Sequence, residues 1–99
     1  MKQKKLSTIL KDAADLLDEH GWCRYALKDE KGRMCIMGAL NAAANGDAEI
    51  SYAQLDVRAI AKALGDCQVG ELVDWNDEIA RDRRSVTRRL RAAVRRLEA

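Results

Sequence analysis

Apolar residues recur at helical spacing along almost the whole of this 99-residue chain, and not one proline interrupts them. Leu6, Leu10, Ala13 and Leu17 follow one another at i, i+4, i+7 and i+11, with Ile9 and Leu16 beside them. That period puts one apolar stripe on one side of a helix. Ser7 suits an N-cap and Gly21 a C-terminal stop, which predicts a first helix over residues 8–20. Sixteen alanines let neighbouring helices approach closely. The chain is therefore expected to be mainly α, a compact domain of four to five helices.

Residues 22–35 break the period. Asp29-Glu30-Lys31-Gly32 has turn chemistry, so a short β-hairpin or an ordered loop is expected at about residues 23–36. A second helix is predicted over about 35–44, ending at Asn45-Gly46, with Gly38 inside it as a position of close backbone approach. Ser51 and Gln54 have capping-box spacing, and the helix they open carries Ala53, Val57, Ile60, Ala61 and Leu64 before stopping at Gly65. A short segment from Glu71 to Asn76 follows. Asp82 is the expected cap of a last helix over 83–98, with Val86, Leu90, Ala93 and Leu97 inward. No linker or repeat divides the chain, so a single domain over 1–99 is expected, with residues 1–6 a flexible basic N-terminus.

Composition narrows the class. With 47% hydrophobic and 34% charged residues at a net charge of +2, the chain has too much apolar surface for disorder. No run approaches the ~20 apolar residues of a membrane span. Lys2, Lys4 and Lys5 lead into an amphipathic stretch broken by charges, so no secretory leader is expected. Cys23, Cys35 and Cys67 are an odd number, which fits reduced thiols in a cytoplasm better than a disulfide framework. Packing alone must then stabilise a small core, and a homodimer would be a natural supplement.

The net charge conceals a strong polarity. Residues 1–5 carry +3, residues 6–80 carry −7, and residues 81–99 carry +6 from eight arginines against Asp82 and Glu98. On the last helix Arg84, Arg88, Arg91 and Arg95 fall on one stripe opposite the apolar face, flanked by Arg89 and Arg96. The stripe is ~16 Å long at 1.5 Å per residue. Guanidinium forks suit carboxylates or phosphates, although a stripe of this kind also serves as a solvated face or docks on acidic parts of its own chain. A protein partner is favoured over nucleic acid because acids cover the rest of the chain and few aromatics interleave with the arginines.

Other constellations are weaker. Ile60 to Gly65 followed by Leu72 and Trp75 has a helix-turn-helix flavour, but the spacing is one residue too long and the would-be recognition helix carries Glu71, Asp74, Asp77 and Glu78. His20, Cys23, Cys35 and Cys67 lack the second close ligand pair of a zinc site. Cys35 lies near a helix N-terminus, where a thiolate is stabilised, and with His20 and Asn76 it outlines a cysteine nucleophile. A buried helix-capping cysteine is the commoner use. No catalytic residue, metal or cofactor is assigned.

Taken together, His20-Gly21-Trp22, Gly32-Arg33-Met34-Cys35-Ile36-Met37-Gly38-Ala39-Leu40 and Trp75-Asn76-Asp77 resemble the actinobacterial and actinophage proteins grouped as domain of unknown function 6197. The resemblance spans about residues 10–97. It implies a mostly helical domain of bacterial or phage origin and transfers no activity. Gly21, Trp22, Gly32, Cys35, Gly38, Trp75, Asn76 and Asp77 match its motifs and read as scaffold: Gly21 stops a helix, Gly32 closes a turn, Gly38 meets a neighbour under Trp22 or Trp75, and Asn76 and Asp77 cap or tie the connection into the last helix. The expectation is a non-enzymatic accessory domain that binds a macromolecule, foremost a protein, through its arginine-rich last helix. A nucleic-acid binder using the same stripe and a Cys35-dependent enzyme are the alternatives.

Overall fold

A computed structural model describes residues 5–49, 57–65 and 69–99. The helices are α1 (Leu6–His20), α2 (Ile36–Asn45), α3 (Val57–Ala63), α4 (Val69–Asp74) and α5 (Arg83–Glu98), with a single π-helical turn, Trp75–Ile79, extending α4. The mainly α expectation holds, and among the described residues there is no strand. No helix of the described residues is long and apolar enough to cross a membrane. The Ser51–Gln54 capping box and Cys67 lie outside the described residues.

The helices pack as their periods dictate. Leu10, Ala13, Ala14 and Leu17 of α1 are fully buried and face α5, which buries Val86, Thr87, Leu90, Ala93 and Val94. Alanine at 13, 14 and 93 keeps this contact close. α2 is the centre of the molecule: Ile36 to Asn41 are all buried, and so is Ala43. A helix apolar on every side has to be surrounded, and α2 packs against both α1 and α4. Ile60, Ala61, Leu64 and Leu72 complete one contiguous core.

Two boundary expectations are corrected. α1 starts at Leu6 behind Lys5, which makes no side-chain cap bond, so Ser7 sits inside the helix and caps nothing. Leu97 points outward, at 45% exposure, and Val94 is buried in its place. Leu97 lies one residue before the end of α5, whose last buried position is Val94. Asp82 does cap α5, accepting from Ser85 N–H at 2.9 Å. Gly46, in the left-handed region at φ 82°, ends α2.

Residues 21–35 form an ordered loop stitched by backbone bonds rather than a hairpin. Trp22 and Lys28 each bridge to Met34. Cys23 N–H donates to Met34 O at 3.0 Å, and Met34 N–H donates to Gly21 O at 3.1 Å. The Asp29 carboxylate accepts from the N–H groups of Lys31 and Arg33, while Gly32 N–H donates to Asp29 O at 3.0 Å and closes the turn. The loop then folds over the start of α2, where Cys35 N–H donates to Leu27 O at 3.3 Å.

Gly38 makes this possible. A Cβ at position 38 would collide with the Leu27 carbonyl, so the neighbour that requires glycine is loop backbone, not Trp22 or Trp75. Backbone cannot swing aside as a side chain can. Gly38→Ala is therefore expected to cost about 1–3 kcal/mol, as overpacking does. Gly70→Ala, where a Cβ meets open space, should cost nothing and gain up to about 1 kcal/mol of helix propensity. Urea midpoints of the two variants check the contrast.

Candidate functional site

Trp22, Cys35, Asn76 and Asp77, far apart in the sequence, meet at the N-terminus of α2. The π turn is closed by Ala80 N–H donating to Trp75 O at 2.8 Å, and it carries Asn76 inward, where it is 1% exposed. Asn76 Oδ1 accepts from Trp22 Nε1 at 2.8 Å and from Ile36 N–H at 2.9 Å. Its Nδ2 donates to Cys23 O at 3.3 Å and to Asp77 Oδ1 at 2.9 Å. Trp22 Nε1 and Ile36 N–H are donors only, which fixes the amide orientation and uses all four of its bonding positions.

Asp77 passes the contact on. Its Oδ1 accepts from Tyr25 N–H at 2.9 Å, and Tyr25 sits at φ 67°, unusual for a non-glycine residue. The Tyr25 hydroxyl donates to Glu78 Oε1 at 3.1 Å, although the side chain is 69% exposed. Arg24 Nη2 donates to Ala80 O at 2.6 Å while its guanidinium lies 4.9 Å from the Trp22 ring centroid. The W-N-D triplet thus ties the loop to the start of α2. It does not cap or tie the connection into α5, which Asp82 opens alone. The expectation for Asn76 and Asp77 is corrected on that point.

Cys35 is the N-cap of α2, its Sγ accepting from Gly38 N–H at 3.3 Å. Burial pushes its pKa up, outweighing the opposing Gly38 N–H, so the thiolate expected from the helix terminus is reversed to a protonated thiol. Tyr25, Leu27, Cys35, Val73, Asn76 and Asp77 border a small recess of about 180 Å³. His20 is exposed at the end of α1, 3.9 Å from Glu19, and the Asn76 amide is fully occupied. Neither is bonded to Cys35 Sγ, so the nucleophile–base pair is not assembled. Among the described residues no three His, Cys, Asp or Glu side chains gather as metal ligands.

The arginines of α5 divide into two groups. Toward α1, Arg91 holds Asp15 Oδ1 at 3.1 Å and Asp18 Oδ2 at 2.6 Å, and Arg83 Nε lies 3.3 Å from Asp18 Oδ1. Toward α3, Arg89 donates twice to Leu64 O, at 2.9 and 2.7 Å, with its guanidinium 4.6 Å from the Trp75 ring centroid. Arg96 donates to Ala63 O at 2.6 Å. Between these flanks Arg84, Arg88 and Arg95 stand exposed. With Thr87 and Arg91 they line a shallow groove of about 340 Å³. Their side chains make no hydrogen bond or ion pair with a described residue; the Arg84 backbone carbonyl accepts from the Thr87 hydroxyl at 3.3 Å. Asp82 is near Arg88 and Arg84, but its carboxylate is committed to Ser85, whose N–H lowers its pKa first, the two arginines adding to the effect.

The expected stripe of four thus retains Arg84, Arg88 and Arg95 as side chains unpaired among the described residues, while Arg91, Arg89 and Arg96 hold the fold. Sequence reasoning did not find the Asn76 hub or the Arg89–Trp75 stack. Their signal was an asparagine at the point where helical periodicity fails, next to one of only two tryptophans.

The fold and this site define a small helical domain locked by a buried asparagine, with a cationic crest on its last helix. The model of the family of unknown function DUF6197 matches residues 1–96, and the chain belongs to that family. No curated protein and no solved structure matches it.

Asn76→Ala should cost about 2–4 kcal/mol, because Trp22 Nε1, Ile36 N–H and Cys23 O lose a buried partner together. A lowered urea midpoint with red-shifted tryptophan emission checks this. The thiols make a second prediction. Burial raises Cys23 from 9.0 to about 11 and Cys35 in the same direction. Unfolded thiols lose their protons first, so the thiol contribution is intact below about pH 9 and falls as pH rises toward 11. Cys23→Ala/Cys35→Ala should flatten the decline in urea midpoint over that range.

Proposed function

We propose that the chain is a non-enzymatic accessory or regulatory domain of phage or bacterial origin, acting in the cytoplasm, that binds an acidic protein through α5. The observation that carries this is the exposure of Arg84, Arg88 and Arg95 on one crest while the arginines on either side are consumed by the fold. Guanidinium groups that engage carboxylates two-pronged give both attraction and register. Asp15 and Asp18 stand half-exposed beside the crest, which disfavours a broad polyanion such as duplex nucleic acid. Cys35, used as a protonated helix cap, supports a role without chemistry at the thiol.

Affinity purification from the native host with and without nuclease, read by mass spectrometry, tests the proposal. Wild type should retain an acidic protein after nuclease treatment, and Arg84→Glu/Arg88→Glu/Arg95→Glu should lose it at unchanged Tm. Retention by the variant, or recovery of nucleic acid alone, would overturn it. Recovery of the chain itself would assign the crest to self-association instead.

A further inference from the structure

Resting on that reading, we infer that the segment docking on the crest is an α-helix with carboxylates at i, i+4, i+7 and i+11. The first ground is spacing. Arg84, Arg88, Arg91 and Arg95 repeat at intervals of four, three and four residues, over a rise of ~16 Å or three helical turns. Read backwards the intervals are the same, so an acidic helix of matching period meets the row in either direction. The third position contributes least, since Arg91 already holds Asp15 and Asp18.

The second ground is a contact that the fold already makes. α5 uses Arg91 and Arg83 to hold carboxylates at i and i+3 of another helix, α1, at 2.6 to 3.3 Å. The crest repeats that chemistry one face round, with no helix opposite it among the described residues. Its surface also suits a helix. The groove is open and shallow, and it runs along the arginine row with Thr87 between the stems. Arginine stems offer apolar methylenes to the body of a ligand while the heads reach its acids.

The third ground is the shape of the strip. α1 carboxylates lie along one flank, and Asp82 and Glu98 stand at the two ends of α5. The positive strip therefore runs lengthwise along α5 for about three helical turns, with acids on the α1 side and at both ends. An extended acidic chain would place successive carboxylates on alternate sides and reach the row with only half of them.

Fluorescence anisotropy with synthetic 18-residue alanine-based peptides on the full-length protein tests this. One peptide carries glutamates at i, i+4, i+7 and i+11, a second carries the same four spread round the helix, a third adds a central proline to the first, and a single-stranded oligonucleotide is the fourth probe. The striped peptide should bind at least about tenfold tighter than the second and third, weaken with added salt, and fail to bind Arg84→Ala/Arg88→Ala/Arg95→Ala protein of unchanged Tm and circular dichroism. Equal binding of all three peptides, lost on the triple variant, overturns the helical inference but leaves the acidic-partner reading standing. Binding of the oligonucleotide alone overturns both. No binding of the striped peptide at millimolar concentration overturns the inference, while the host purification decides the broader reading independently.

Discussion

The amide of Asn76 is the constraint on which the rest of the structure depends. Three pieces of chain that share no sheet and no helix converge on it: the loop at Trp22 and Cys23, the first turn of α2 at Ile36, and the π turn itself at Asp77. A satisfied buried amide contributes little net stability, but each partner left unpaired costs about 1–3 kcal/mol. Loss of this one amide therefore leaves partners in the loop, the helix start and the π turn unpaired at once. The π turn is what brings the amide inward. One wider turn shifts the helical register so that Asn76 faces the core while Asp77 and Glu78, its neighbours, still reach Tyr25.

This explains why a loop of fifteen residues needs no strand. Its backbone groups are satisfied by Met34, Gly21, Leu27 and Asp29 from within, and its outer edge is held by Asp77 of the π turn and by Ala80 just after it. The close seat of the Leu27 carbonyl over α2 demands glycine at 38. The same closeness buries Cys35 as a cap that sulfur can serve only weakly, so Asn76 completes the capping by taking Ile36 N–H. Thiol, glycine and asparagine are one packing solution, and each narrows what the others can be.

The helices were legible because their information is local. Leu10, Ala13 and Leu17 name one face of α1; Asp82 announces α5; Asn45-Gly46 announces the end of α2. The arginine stripe could also be placed, since a helix wheel needs no partner. What the sequence concealed was non-local. Nothing next to Arg91 reveals that Asp15 and Asp18 lie across from it, more than seventy residues away, and nothing next to Arg89 reveals the Leu64 carbonyl. Asn76 reads as serving the nearest helix start because capping is a neighbour's role in most chains, whereas this residue serves a helix start forty residues upstream. Leu97 has the right period but lies beyond the last buried position of α5.

Arginine rather than lysine does the internal work of α5 for a physical reason. Arg89 sends two donors to one carbonyl and lays its plane over Trp75, which a point-charge ammonium does not combine. Arg89 and Arg96 also sit at the C-terminal end of α3, where its last carbonyls favour cations. None of this accounts for Arg84, Arg88 and Arg95. Like charges at i, i+4 on a helix cost about 0.2–0.5 kcal/mol per pair. Arg84 moreover lies in the first turn of α5, the positive end of its dipole. Arg84 and Arg88, four residues apart, thus repel one another with only the Asp82 carboxylate nearby, whereas Arg95 in the last turn of α5 is favoured by the dipole. No side-chain bond of these three holds the described fold together, and an acidic helix laid along the crest is the arrangement that would turn the repulsion between Arg84 and Arg88 into attraction to a partner.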